Sequence, residues 1–286
     1  MDTTVKVVAT RSDGEIFSYS NSDWGVTELS GIDFPPIEIF TEDRGSGNGS
    51  IITGKRKGSR EIEIVAENKN TLNNDIDRLA ALPFHNSNYT YDIEFTYMGQ
   101  TKIAKDCELQ DASCPAKNVH EPLELTVGFL APEADLFADS DTQTHFVGIT
   151  PLWHVTRAYT PGGGTLAYGV IQRSIVKLVR YLGSEPAPIV AALTAEGVVD
   201  GVIVRVNSTE VTIDIDLVSG DTLIVDAANK TVTLNGERVS ESLYNYVDVP
   251  ALMLQYGDNE VQISAVDEDN LAFDARLTYT GRYGGL

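Results

Sequence analysis

Two cysteines in 286 residues are too few for a disulfide framework. Cys107 and Cys114 bound the segment CELQDASC, which could form two arms of a hairpin. Free thiols in a reducing cytosol are the expectation. The four histidines, His85, His120, His145 and His154, show none of the close spacings of zinc motifs. The start, Met-Asp-Thr-Thr, lacks the basic residues and apolar core of a signal peptide. No apolar run reaches membrane-spanning length, because Asp200 and Arg205 interrupt the longest candidate. Membrane insertion is therefore not expected. Basic residues are also scarce: 21 Lys and Arg face 42 Asp and Glu, a formal net charge of -21. Such a surface repels phosphates, so stable binding of nucleic acid is not expected. A channel through which DNA slides without sticking remains compatible with it.

Hydrophobic residues make up 42% of the chain, enough to build cores, and the length suits two domains. Glycine and proline are scattered as many short strands require. Val5–Val8, Glu15–Phe17, Trp24–Leu29 and Arg60–Val65 read as strands, with an Asp13-Gly14 turn between the first two. Thr41 to Arg60 is polar and rich in glycine and reads as a long flexible loop. One segment has helical spacing, Asn70 to Leu82. Leu72, Ile76, Leu79 and Leu82 form its expected buried face, and Pro83 closes it. Tyr89–Tyr97 and Leu123–Val127 are further strands, with a turn at Met98-Gly99. Ala131 to Thr144, acidic and rich in Ser and Thr, reads as a linker.

The second half shows no helical pattern. Strands are expected at 175–181, 202–206, 211–217, 222–225, 231–234 and 260–265, with Asn235-Gly236 the strongest hairpin signal. The fold class is mainly β. An N-terminal β-sandwich or split-barrel domain with one short helix spans 1–140, and a C-terminal β-sandwich spans 141–286.

Chemistry is hard to find. Gly49 to Lys55 has the spacing of a phosphate loop, but Arg56 stands where a Ser or Thr should follow, and a strand comes next instead of a helix. Asp214 and Asp216 share a strand face, and Asp267, Glu268 and Asp269 share a turn; solvated positions explain both. Trp153, Tyr159 and Tyr168 flank a glycine loop, 161–164, and could stack on a sugar. They support an alternative reading, a carbohydrate-binding module, beside the plainer roles of core packing or a contact in an assembly. No catalytic residue, metal site or cofactor is expected, and the chain does not read as an enzyme.

The order of these pieces resembles the distal tail protein family of siphophages. In the first half the carriers are Gly54-Lys55-Arg56-Lys57-Gly58-Ser59-Arg60 leading into a strand, the short helix, and Val127 to Phe137 with its Pro132 and Phe137. In the second half they are Gly183 to Ile189, Ser219 to Asp226, Asn235-Gly236 and Leu254 to Val261. The resemblance implies a galectin-like second domain and a six-subunit ring built by the first. That ring would be a non-enzymatic hub in the virion, at the phage tail tip, assembled in the host cytoplasm. It would join the tail tube protein to a tail tip or tail-associated protein, with receptor-binding proteins as further partners. Arg44, Lys55, Arg56, Lys57 and Arg60 are the expected oligomer interface, because a basic arm on an acidic subunit complements its neighbour.

Overall fold

The computed structural model describes residues 5–69, 74–115, 121–151, 169–173, 176–267 and 272–286. The chain divides into two compact units. Residues 1–140 and 282–286 form the first, and 141–281 form the second. The last five residues, read from sequence as part of the second half, thus pack with the first.

The first unit holds β1 (Lys6–Arg11), β2 (Ile16–Ser18), β3 (Trp24–Ser30), β4 (Ile37–Asp43), β5 (Ser50–Lys57), β6 (Arg60–Asn68), α1 (Asn74–Phe84), β7 (Thr90–Tyr97), β8 (Gln100–Ser113), β9 (Glu124–Ala131) and the start of β10 (Leu136–His145). Antiparallel pairing runs β2-β1-β7-β8-β9-β6-β3. Met98 and Gly99 both take positive φ in the β7–β8 turn, as a two-residue hairpin requires. Alternation sets the buried face. Ile62, Ile64 and Ala66 of β6, Tyr91, Ile93 and Phe95 of β7, and Leu125, Val127 and Phe129 of β9 share one core. Cys107 and Cys114 are buried free thiols, one within β8 and one just past its end, not two arms of a hairpin.

Helix α1 forms where the spacing placed it, but it buries a different face. Ile76 and Leu79 are 69% and 68% exposed, Leu82 is half-buried, and Leu72 lies outside the described residues. Ala81, Phe84 and the adjoining His85 are buried instead. Two polar anchors help fix this rotation. Asp77 accepts a hydrogen bond from the Asn68 side chain at 2.7 Å, and Arg78 Nε donates to the Cys114 carbonyl at 2.8 Å. Pro83 lies inside the last turn and does not end the helix.

The expected linker is a strand. Residues 136–145 are β10, whose Phe137 and Ala138 pair with Ile103 and Lys102 of β8. The chain passes from the first unit to the second within β10 and returns within β22 (Phe273–Tyr283).

The second unit comprises the end of β10, β11 (Val147–Pro151), β12 (Gly169–Arg173), β13 (Val176–Tyr181), β14 (Ala187–Ala195), β15 (Val199–Val206), β16 (Thr209–Leu217), β17 (Thr222–Asp226), β18 (Thr231–Leu234), β19 (Glu237–Arg238), β20 (Met253–Leu254), β21 (Gly257–Ala265) and most of β22. One sheet runs β13-β21-β15-β16, and another runs β19-β18-β17-β14-β22. Val204, Ile213 and Ile263 of the first sheet share a core with Ile189, Leu223 and Leu277 of the second, which makes this unit a sandwich. Asn235 and Gly236 both take positive φ between β18 and β19. Among the described residues no helix is long and apolar enough to cross a membrane.

Candidate assembly interface

Residues 41–60 are not a flexible loop. Strands β4 and β5 form a two-stranded antiparallel hairpin, hydrogen-bonded to no other described strand. Only residues 44–49 turn between them, with Gly47 and Gly49 at positive φ. Gly49 to Lys55 therefore lies on this hairpin and runs along β5, with no helix after it to hold a phosphate.

Every residue of β4 is exposed, and so is every residue of β5 except half-buried Gly54. Among them are Ile37, Ile39, Phe40, Ile51 and Ile52. An isolated hairpin is at best marginally stable in water, and one that shows isoleucines on both sides gains stability only by being covered. Residues directly opposite one another share a face. Ile37 faces Lys57, Ile39 faces Lys55, Thr41 faces Ile52 and Asp43 faces Ser50, so one face combines isoleucine with lysine and ends on a carboxylate. The other carries Glu38 with Arg56, Phe40 with Gly54, and Glu42 with Ile51. A bulge between these rungs leaves Thr53 without an opposite residue.

The five expected interface cations separate into three groups. Arg44 and Lys55 are exposed on the hairpin, one in its turn and one on β5. Arg56 donates to Glu38 at 2.6 Å and lies over the Phe40 ring, and Lys57 pairs with Asp135 at 2.8 Å. Exposed pairs of this sort contribute little, so both side chains can exchange partners. Arg60 does not belong with them. It is 1% exposed, on the inward face of β6. Its guanidinium donates to the carbonyls of Gly31 (2.7 Å), Asp33, Ala134 (2.8 and 3.1 Å) and Gly284 (2.8 Å). Burial lowers its pKa, against the pull of Asp135 and Asp33. Arg60 is an internal staple that ties the C-terminal tail to two loops, and a side chain this enclosed is unavailable to a neighbour.

The apolar members of the hairpin were missed from sequence. The signal was there in Ile37-Glu38-Ile39-Phe40, just before the expected loop, and in Ser50-Ile51-Ile52, read as loop because glycine and charge surround it.

A second exposed apolar surface lies between α1 and β2. A cleft of ≈ 500 Å³ is lined by Arg11, Glu15, Ile16, Phe17, Leu79, Ala80, Pro83 and Phe84. Arg11 is held there by Asp13 at 2.7 Å and Glu15 at 2.5 Å.

His85 is buried; its Nδ1 donates to the Ala81 carbonyl (2.6 Å), and its Nε2 accepts from Tyr19 Oη (2.5 Å). Burial pushes its pKa down to about 4. Burial also pushes the Cys107 thiol up to about 12, which leaves it unreactive. His145 is exposed, and His120 and His154 lie outside the described residues. Asp214, Asp216 and Asp267 are exposed, and Glu268 and Asp269 lie outside the described residues. Trp153, Tyr159, Tyr168 and the glycine loop at 161–164 also lie outside them. Among the described residues no three His, Cys, Asp or Glu side chains converge on a metal position.

Comparison with known proteins bears on these surfaces. Residues 182–283 match the family model described as siphovirus-type tail component, C-terminal domain. In fold, 96% of the chain superposes on 98% of the SPP1 Dit protein, at a TM-score of 0.67 and 12% identity. That protein is described as a paradigm of the hub adsorption apparatus in phages that infect Gram-positive bacteria. A chain of the phage P2 baseplate in its activated conformation with calcium matches at 9% identity and a TM-score of 0.45, with 99% of each chain covered. No curated protein matches the sequence. The resemblance to distal tail proteins is thus one of sequence over the second half and of mainly β fold over nearly the whole chain.

Proposed function

We propose that this chain is a structural, non-catalytic hub of a siphophage tail tip. It forms a closed ring, of six subunits as the family resemblance implies, between the tail tube and the tip or baseplate proteins. The observation that carries the reading is the tail-component match over 182–283 within a chain that superposes along its length on SPP1 Dit. The exposed β4–β5 hairpin supports the ring part. A head-to-tail contact closes into a ring when its rotation permits, and an apolar arm that carries Arg44, Lys55, Arg56 and Lys57 beside Glu38, Glu42 and Asp43 has a neighbour of net charge -21 to dock on. Charge supplies orientation and encounter rate, while apolar burial supplies most of the affinity.

Light scattering and negative-stain microscopy across concentration and salt test this. Closed rings are expected at high concentration or with tail partners present, weaker but not absent at high salt. A protein that stays monomeric under all these conditions would sink the ring reading. Rings that persist unchanged after residues 44–49 and the flanking strands are replaced by a short turn would leave the ring but remove the hairpin from it.

A further inference from the structure

Asn-Gly occurs twice in the chain, at 48–49 and at 235–236, and both pairs sit in exposed turns. The dipeptide is chemically fragile wherever its backbone is free. The glycine amide nitrogen has no side chain in front of it, so once its proton passes to solvent it attacks the asparagine side-chain carbonyl. A bond forms from that nitrogen to Cγ, the Cγ–Nδ2 bond breaks, and Nδ2 leaves as ammonia with a proton from solvent. Water then opens the resulting succinimide ring to aspartate or, through its other carbonyl, to isoaspartate. The only co-reactant is water.

The two turns hold their asparagines differently. Among the described residues nothing bonds the Asn48 side chain. Asn235 is clasped. Leu234 pairs with Glu237, so 235 and 236 form a two-residue turn, with φ of 52° and 85°. The Thr222 amide donates to Asn235 Oδ1 at 2.9 Å, and the Asn235 amide donates to the Thr222 carbonyl at 2.9 Å. The side chain is thereby turned back toward its own amide. Its Nδ2 donates to Asp221 Oδ1 at 2.8 Å, and Asp221 Oδ2 accepts from the Val218 amide at 2.9 Å. The Val218 amide and then the Asn235 side chain lower the Asp221 pKa, so the acceptor is ionised at neutral pH. Ring closure needs the reverse arrangement: Cγ has to swing onto the Gly236 nitrogen, and Nδ2 has to leave Asp221.

We propose that Asn235-Gly236 is a deamidation site that the folded second unit holds shut through Asp221 and Thr222, and that local opening of this turn converts it irreversibly. The product cannot be clasped again. An aspartate at 235 has no Nδ2 donor, and its carboxylate stands at hydrogen-bond range from the ionised Asp221, where like charges repel. Isoaspartate also inserts a methylene into the backbone beside the 234–237 rung. The turn at 218–221, which carries the chain from one sheet of the sandwich to the other, loses its tie to 235. The site records, as a covalent change, that this end of the second unit has opened.

Tryptic peptides 45–55 and 231–238 separate the two pairs, so mass spectrometry of the full chain reads both in one sample. At mildly alkaline pH, Asn235 should deamidate about tenfold or more slowly in the native chain than in concentrated urea, because its reaction waits for local opening. Asn48 should react at similar rates in both. Asp221→Ala should speed the native reaction at 235 and leave that at 48 unaltered, with folding checked by circular dichroism. Asn235→Asp should speed amide exchange at Val218 and Thr222. Combining it with Asp221→Asn, which again sets a donor against a carboxylate, should slow that exchange. Equal rates at 235 in native chain and urea, equal protection of 48 and 235, or a folded Asp221→Ala chain that reacts no faster would each overturn the clasp. The first two comparisons use the unaltered chain and decide even where Asp221→Ala fails to fold. Unaltered exchange in Asn235→Asp would overturn the loosening that follows from conversion.

Discussion

Replacing Arg60 tests the clearest revision of the sequence reading, because an interface cation and an internal staple behave oppositely. Arg60→Met keeps most of the aliphatic stem and removes the guanidinium. Five hydrogen bonds to four carbonyls are lost. The carbonyls do not suffer equally. Asp33 is exposed and Gly31 half-buried, so water can replace the arginine there after a small movement. Ala134 is half-buried and Gly284 fully buried, and their carbonyls are left poorly served. An unsatisfied buried polar group costs about 1–3 kcal/mol, so two of them give roughly 2–6 kcal/mol. The relief of no longer burying a charge offsets part of this, since burial already lowers the arginine's pKa. A net loss of about 2–4 kcal/mol in the stability of the first unit is expected. Arg60→Lys keeps a cation with three donors for four carbonyls and should fall in between. Urea unfolding followed by fluorescence of buried Trp24, with Trp153→Phe to silence the other tryptophan, reads this unit. A loss below about 0.5 kcal/mol, the range of ordinary surface substitutions, combined with impaired ring formation, would return Arg60 to the interface and refute the staple.

Leu79→Ala should change subunit stability by no more than about 0.5 kcal/mol, whereas Phe84→Ala on the buried face should cost about 3–5 kcal/mol; equal losses in urea titrations would mean that α1 is rotated from the orientation described. His85 has its pKa lowered in the folded state to about 4, so protonation favours the unfolded chain. Its contribution is full above about pH 6.5 and is lost as pH falls toward about 4, a total of about 3 kcal/mol. His85→Gln should flatten that part of the stability-pH curve, and an unaltered slope would assign it to other groups. Removing residues 284–286 deletes the Gly284 carbonyl and the Leu286 amide bond to Ile32, so it should speed amide exchange at 31–33 and 134. Unchanged exchange there would show the tail to be dispensable to the first unit.

The mainly β class, most strand positions and the two-residue turns were legible in the sequence. Residue alternation and Asn-Gly or Met-Gly pairs act over two to eight residues, and neighbours along the chain decide them. The rotation of α1 was not legible. Ile76 and Leu79 have the right spacing for a buried stripe, but the helix turns on polar anchors from elsewhere, Asn68 and the Cys114 carbonyl, that no local pattern announces. The hairpin from residue 41 onward read as loop because its strands lack a buried face, and alternation is informative only where one side is covered. Arg60 misled for the converse reason. In sequence it ends a basic run, yet β6 alternation turns it inward, where carbonyls from residues 31, 33, 134 and 284 converge. Local patterns decide which segments are strands. Only the folded chain brings distant backbone groups together, and that meeting decides whether a cation is an arm for a neighbour or a tie within the subunit.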